Sequence, residues 1–426
     1  MSKLIIQGNA KLSGTYLPQG NKNAALPIIS ATLLIKGKVI LNNVPEIEDV
    51  LTLIEIIKKL GVKVEKLGAN RFSFDASEVP NNIPDPELSR KIRGILLLIP
   101  GLIYRAGKTQ LSFFGGDPIG IRQIDTFAQA IKSLGADIEN KNDSLVFHAK
   151  KIIGNQLYLD EASVVATESA IILASVANGI TEIFNAACEP HVADLCIFLN
   201  QCGAKITGIG SNHLKIHETT ELRPAEYSIC PDHIEIGSIA VLAAVTGSEI
   251  TINNVNPTTF YWINHGFAKL GVNLTFENNQ LIIKKKQPLK VAESLNRQIQ
   301  KLDDGPWPAF PTDLLSLMIV LATQIKGEVL FFEKMFDSRL FFTDSLRKMG
   351  AKITLYDPHR VVVNGPTKLR GQKLTSYDIR AGMALLVASL CADGQSEIDN
   401  AYQIYRGYER IDERLNALGA NIKKLD

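Results

Sequence analysis

One short signature recurs six times and limits what this chain can fold into: Leu, Met or Cys, then Gly, then Ala or Val, placed between an amphipathic stretch and alternating strand residues. The copies are Leu60-Gly61-Val62, Leu134-Gly135-Ala136, Cys202-Gly203-Ala204, Leu270-Gly271-Val272, Met349-Gly350-Ala351 and Leu418-Gly419-Ala420. Successive glycines lie 74, 68, 68, 79 and 69 residues apart, too far for a solenoid and suited to a compact α+β unit. In the first copy Pro45 opens a predicted helix whose apolar positions Val50, Leu53, Ile54, Ile57 and Leu60 follow the i, i+3, i+4, i+7 rule. Glu46, Glu48 and Asp49 suit its positive end, and Lys58 and Lys59 its negative end. Gly61 then stops the helix in a left-handed cap, and Val62 to Val64 and Phe72 to Phe74 form a hairpin about Gly68-Ala69-Asn70.

Between the copies run stretches apolar on every side, such as Ala170 to Val176, Ile236 to Val245, Leu314 to Thr323 and Met383 to Ala392, which predicts buried helices. Six copies divide into two groups of three, with a boundary near Cys230-Pro231-Asp232. The expected lobes are residues 1–21 plus 231–426, holding the N-terminal strands and repeats four to six, and residues 22–230, holding repeats one to three. A chain of 426 residues has room for this.

Charge and cysteine usage exclude several function classes. With 46 basic and 44 acidic residues the net charge is +2, too small to mark a nucleic-acid binder, although a small anion answers only to local charge. No apolar run reaches the roughly 18–20 residues of a membrane span, and the N-terminus does not read as a secretory signal. Five cysteines without CxxC spacing argue against disulfides and thiolate zinc, and a reducing cytoplasm is expected.

Four polar islands interrupt the repeat. Gln19-Gly20-Asn21-Lys22-Asn23-Ala24-Ala25-Leu26-Pro27 places a lysine at the mouth of an apolar helix, either a solvated neighbour of the cap or an anion ligand. Phe114-Gly115-Gly116-Asp117-Pro118-Ile119-Gly120-Ile121-Arg122 is glycine-rich without P-loop or GxGxxG spacing, so Asp117 is a turn residue or an acid carried by a lid, with Arg122 an anion clamp. Gly305-Pro306-Trp307-Pro308-Ala309-Phe310-Pro311-Thr312-Asp313 sets Asp313 before a buried helix, as a cap or a catalytic carboxylate. Asp378-Ile379-Arg380 and Tyr405-Arg406-Gly407-Tyr408-Glu409-Arg410 bring arginines suited to phosphate or carboxylate. The seven histidines show no metal-ligand spacing.

In these islands the chain resembles the UDP-N-acetylglucosamine 1-carboxyvinyltransferases, the enolpyruvyl transferases of peptidoglycan synthesis. The motifs at 21–27, 115–120, 310–313 and 406–410 follow that family's order and spacing over essentially the full length. The resemblance implies an α+β fold of two lobes forming an inside-out α/β barrel, each lobe three βαβαββ units, with an active cleft between lobes and a mobile loop around Asp117. It implies transfer of enolpyruvyl from phosphoenolpyruvate to the 3-hydroxyl of UDP-N-acetylglucosamine with release of phosphate, without metal or organic cofactor, and no nucleic-acid or membrane partner. Lys22, Asp117 and Asp313 match its catalytic positions. Asn23, Arg93, Arg122, Asp125, Ser163, Met335, Arg339, Asp378, Arg380 and Arg406 match its substrate-binding ones.

Asp117 stands where most members carry cysteine, so an acid is kept while its character changes. A free aspartic acid has a pKa of about 3.9, and donating a proton near pH 7 requires a large upward shift. Insensitivity to the thiol-alkylating epoxide fosfomycin is expected. Gln123, Phe127, Glu161, Val165, His233, Gln403 and Tyr405 also depart from the family's usual residues, and Glu161 in place of a lysine is expected to weaken UDP binding. Two alternatives therefore stand beside the main reading: an enolpyruvyl transferase with a different nucleotide or sugar acceptor, and a non-catalytic anion-binding paralogue. The related shikimate enzymes share the fold, but their Ser-Lys-Ser signature is replaced by Asn21-Lys22-Asn23.

Overall fold

The computed structural model describes residues 2–112, 115, 119–120, 123–141, 143–296 and 298–425, with Thr258 and Thr259 described by their backbone alone. Asp117 and Arg122 lie outside the described residues. The chain divides into two compact units, one of Met1–Gln19, Pro118–Ile121 and Pro231–Asp426, the other of Gly20–Asp117 and Arg122–Cys230. Asn21 falls in the second unit because its side chain caps the Lys22–Ala31 helix, accepting from Asn23 N–H at 2.8 Å and Ala24 N–H at 3.1 Å.

The fifth repeat shows the building rule. Gln300–Asp303 pairs in parallel with Gly327–Phe332, a pairing that needs a crossover, and the Thr312–Ala322 helix supplies it. After the Thr343–Lys348 helix, the hairpin Lys352–Asp357 with Arg360–Gly365 adds antiparallel to the same sheet. The result is a βαβαββ unit with its strands in spatial order first, second, fourth, third. Among the described residues three sheets of this kind form in each unit, five of the six four-stranded.

The N-terminal strands serve two different sheets. Ser13–Tyr16 pairs in parallel with Glu249–Ile252 and opens the fourth repeat. Lys3–Gln7 lies antiparallel between Gln395–Asp399 and Ile422–Leu425, supplying the strand that the last repeat lacks. In the other unit Glu226–Ser228 pairs in parallel with Lys38–Asn42 and so completes the first repeat. The second repeat's sheet has three strands among the described residues, and Asn82 meets its edge through Asn82 Nδ2 to Lys108 O at 2.7 Å and Thr109 Oγ1 to Asn82 O at 2.6 Å.

Each unit has its own core. The all-apolar stretches are buried helices: Val164–Ala174, His233–Thr246, Thr312–Ala322 and Ile379–Cys391, joined by Lys22–Ala31 and Leu98–Ala106. In Thr312–Ala322 every residue from Leu314 onward is buried, and each large apolar side chain so placed contributes about 1.5–3 kcal/mol. Outer helices are one-sided, as in Glu48–Lys59, where Val50, Leu53, Ile54 and Ile57 face inward and Leu51 and Glu55 outward. That helix begins at Glu48, and Pro45 belongs to the preceding loop. All six signature glycines have positive φ, from 70° at Gly271 to 106° at Gly350, the left-handed region that stops a helix without a Cβ clash.

Candidate active site

In the unit holding the C-terminal half, the N-termini of three buried helices converge, and polar side chains gather there. Asp313 lies in the first turn of Thr312–Ala322. Its Oδ1 accepts from Arg339 Nη2 at 3.1 Å, and its Oδ2 accepts from Arg380 Nε at 2.9 Å and Nη2 at 2.8 Å. Arg380 sits in the first turn of Ile379–Cys391, where Asp378 caps the helix by accepting from Arg380 N–H and Ala381 N–H, both at 2.8 Å. His233 begins the third helix, edge-on to Trp307 at 6.0 Å. Burial pushes its imidazolium pKa down, and its neighbours Asp232, Arg380 and Asp313 also act on it.

Both guanidiniums are buried, Arg339 at 2% and Arg380 at 5% exposure, and neither tolerates isolation there. Burial works against the Arg380 charge, but Asp313 and Tyr408 outweigh it and raise the Arg380 pKa. Arg380 Nη1 also donates to Tyr408 Oη at 3.2 Å, and Tyr408 Oη lies 2.9 Å from Ser238 Oγ. Arg339 stacks on Phe336 at 5.0 Å and reaches Thr312 O at 3.4 Å and Glu333 Oε2 at 3.7 Å. Glu333 in turn accepts from Met335 N–H at 2.9 Å, Phe336 N–H at 3.0 Å and Thr312 Oγ1 at 3.0 Å. Burial, with Asp304 beside it, pushes the Glu333 carboxyl up to about 8. Arg406 is buried, with Nη1 donating to Gln403 Oε1 at 2.9 Å.

In the other unit the same design recurs. Lys22 is the first residue of its helix and pairs through Nζ with Asp49 Oδ2 at 2.7 Å, both side chains about nine-tenths buried. Arg93 starts the 3-10 turn Arg93–Leu97 that leads into Leu98–Ala106, and its Nη2 donates to Gln123 O at 3.1 Å. Ser163 caps Val164–Ala174 through Ala166 N–H, and Asp125 opens the outer helix Asp125–Ser133. The Lys22–Ala31 helix packs on both the Arg93–Leu97 turn and Val164–Ala174. Helix N-termini furnished with Lys and Arg favour anions through the dipole and free N–H groups. Among the described residues no group of three or more His, Cys, Asp or Glu is placed to hold a metal ion.

The structure thus brings Asp313, Arg339, Asp378 and Arg380 into one cluster, with Met335 joined to it through Glu333. It sets Arg406 on a loop next to Tyr408, which bonds to Arg380. Asp117 and Arg122 fall outside the described residues. Nothing in the sequence alone indicates a role for Glu333, Asp304 or Gln19, and Asp49, which there suits only its helix dipole, is the counter-charge of Lys22.

The fold is that of the enolpyruvyl transferases: the enolpyruvyl transferase NikO from Streptomyces tendae superposes with a TM-score of 0.88 over 99% of this chain and 98% of that one at 22% identity. An EPSP synthase from Acinetobacter baumannii follows at 0.76, over the whole of both chains and 18% identity. The family model for EPSP synthase (3-phosphoshikimate 1-carboxyvinyltransferase) matches residues 6–415. A UDP-N-acetylglucosamine 1-carboxyvinyltransferase of Bradyrhizobium diazoefficiens is 49% identical over 99% of this chain and 97% of its own length. Those of Treponema denticola and Borrelia garinii are 47% and 46% identical, each across at least 99% of both chains. The chain belongs to the EPSP synthase family, and within it to the UDP-N-acetylglucosamine 1-carboxyvinyltransferases.

Proposed function

We propose that this chain transfers the enolpyruvyl group of phosphoenolpyruvate to the 3-hydroxyl of UDP-N-acetylglucosamine and releases phosphate, the first committed step of peptidoglycan precursor synthesis. The observation that carries the reading is the Asp313 carboxylate held between two buried arginines at converging helix N-termini, in a chain whose full-length relatives bear that name. The donor brings a phosphate and a carboxylate, and Lys22, Arg122 and Arg406 are its cations in this reading, with Arg93, Arg339 and Arg380 further positions. Asn23, Asp125, Ser163, Met335 and Asp378 complete the substrate-binding set.

The reaction is an exchange at a vinylic carbon. Asp117 protonates the methylene, the carbon bearing phosphate becomes electrophilic, and the acceptor oxygen bonds to it while Asp313 takes the hydroxyl proton. Loss of phosphate, with one methyl proton returned to the Asp117 carboxylate, restores the double bond, and the proton held by Asp313 passes to water. Fixed cations at the leaving phosphate stabilise the charge that grows there.

An altered acceptor is not favoured by these relatives. Glu161, the strongest departure on the nucleotide side, has an exposed side chain, so solvent and salt screen its charge. A cytoplasmic setting fits five cysteines that form no disulfide and, among the described residues, no helix long and apolar enough to cross a membrane. The test is phosphate release from phosphoenolpyruvate with and without UDP-N-acetylglucosamine, no metal added, with mass detection of the enolpyruvyl ether. Acceptor-dependent release is expected. Equal release without acceptor, or release only with another nucleotide sugar, overturns the reading.

A further inference from the structure

Gln19 ends the first N-terminal segment and is 7% exposed, yet each of its four polar groups is engaged within its own unit. Its backbone N–H donates to Glu235 Oε2 at 3.1 Å, and its carbonyl accepts from Asp232 N–H at 2.9 Å. Its side-chain Nε2 donates to Gly407 O at 2.9 Å, and its Oε1 accepts from Glu409 N–H at 2.6 Å. The carboxamide therefore grips the backbone on both sides of Tyr408, immediately after Arg406.

That loop needs holding. Gly407 lies where a Cβ would come within 2.3 Å of Ile379 Cγ2, and Arg410 sits at φ 41°, a left-handed conformation costly for a residue with a side chain. From below, Tyr408 is anchored by Ser238 and Arg380. Glu235 has no exposed surface, and Tyr16 Oη donates to it alongside Arg414 Nη1 at 2.5 Å, while Arg414 stacks over Tyr16 at 4.4 Å. Gln19 thus joins a buried, hydrogen-bonded base to the loop that follows Arg406.

We propose that Gln19 is a positioning residue for Arg406: its carboxamide fixes the loop so that the Arg406 guanidinium is set for the donor anion. The inference rests on the reading of Arg406 as a phosphoenolpyruvate cation. Gln19→Met keeps the volume and removes both side-chain hydrogen bonds. It is expected to raise the phosphoenolpyruvate KM about tenfold, the worth of one or two ordinary hydrogen bonds, with the acceptor KM unchanged. Acting through Arg406, it is expected to add less than about twofold in an Arg406→Lys background. Gln19→Glu, which keeps the acceptor for Glu409 N–H and loses the donor to Gly407 O, gives a second test if the methionine variant does not fold, and the same direction is expected.

An unchanged donor KM in both Gln19 variants, while Arg406→Lys raises it, overturns the inference and leaves the reading of Arg406 standing. Equal fold-changes in the wild-type and Arg406→Lys backgrounds also overturn it, since Gln19 would then act independently. An unchanged donor KM in Arg406→Lys itself overturns the reading of Arg406, and the inference with it.

Discussion

Asp313→Asn separates the two jobs assigned to that carboxylate, countering buried charge and accepting a proton. Asparagine carries no charge, so both ion pairs at 3.1 Å and 2.8 Å are lost; it keeps one acceptor oxygen for a guanidinium and turns the other into an amide donor aimed at the second. Breaking a fully buried pair costs about 3–5 kcal/mol. Here the Asp313 side chain is 24% exposed, Arg339 keeps Thr312 O and Glu333, and Arg380 keeps Tyr408 Oη, so a loss of about 2 kcal/mol is expected. Even from a stability of about 5 kcal/mol this leaves the unfolded fraction below about 1%, too little to lower turnover. Removal of a general base lowers kcat by about 10²–10⁴. Urea unfolding and steady-state kinetics on the same preparation check both numbers. A kcat within tenfold of wild type refutes the proton-acceptor role, and a stability change under about 0.5 kcal/mol refutes the account of the arginine pair.

Lys22→Ala removes a cation and leaves Asp49 buried without it, so weaker phosphoenolpyruvate binding and a loss of about 3 kcal/mol are expected by donor titration and urea unfolding; unchanged affinity removes Lys22 from the site. Asp117→Asn is expected to abolish turnover while leaving donor binding largely intact, and Asp117→Cys to restore a proton donor and confer inactivation by fosfomycin. Full turnover in Asp117→Asn, or covalent mass addition by the epoxide to the wild type, contradicts that assignment. Glu168 is 2% exposed, and burial, with Glu189 nearby, pushes its carboxyl well up, so the folded chain holds a proton that the unfolded chain releases above the ordinary glutamate range. Stability from this group therefore falls as pH rises from about 4.3 toward the folded value, by at most about 1.4 kcal/mol per pH unit. Glu168→Gln is expected to gain on the wild type between pH 5 and 8 in urea midpoints, and parallel pH profiles would refute this.

The repeat was legible because its cause is local. A glycine with positive φ ends each outer helix, and that need is written at one position whatever surrounds it. Buried helices were legible for a similar reason, since apolar residues all round leave no face for water. The ends of the outer helices were less so: Glu48–Lys59 starts three residues after Pro45, as Ile47 rather than the proline marks the entry. The repeats carry a second signal. Asn43, Asn185 and Asn400 follow the second strand of their repeats at φ 55° or 56°, and each carboxamide donates to a carbonyl just beyond the neighbouring parallel strand: Ile229 O at 2.9 Å, Leu159 O at 2.8 Å and Ser376 O at 2.9 Å. An asparagine reaching αL and bonding at the same time suits that corner.

The candidate site divides along the same line. Lys22, Asp313 and Arg380 stand in the first turns of apolar helices, where a polar residue beside a hydrophobic run is conspicuous in sequence. Asp49 and Glu333 acquire their meaning only from a partner elsewhere in the chain. Asp49 sits 27 positions from Lys22 in a first turn where acidic residues are ordinary, and Glu333 follows a strand end that reads as a plain surface turn until burial places it beside Asp304 and Arg339. Gln19 is the extreme case, with partners 388 and 390 residues away. Because the N-terminal segment supplies strands to the unit completed by the C-terminal repeats, a residue at its end reaches the Arg406 loop by construction. The chain closure that completes the sheets thereby also places Gln19 against the loop of a proposed site residue, a link between topology and the proposed function that no local pattern encodes.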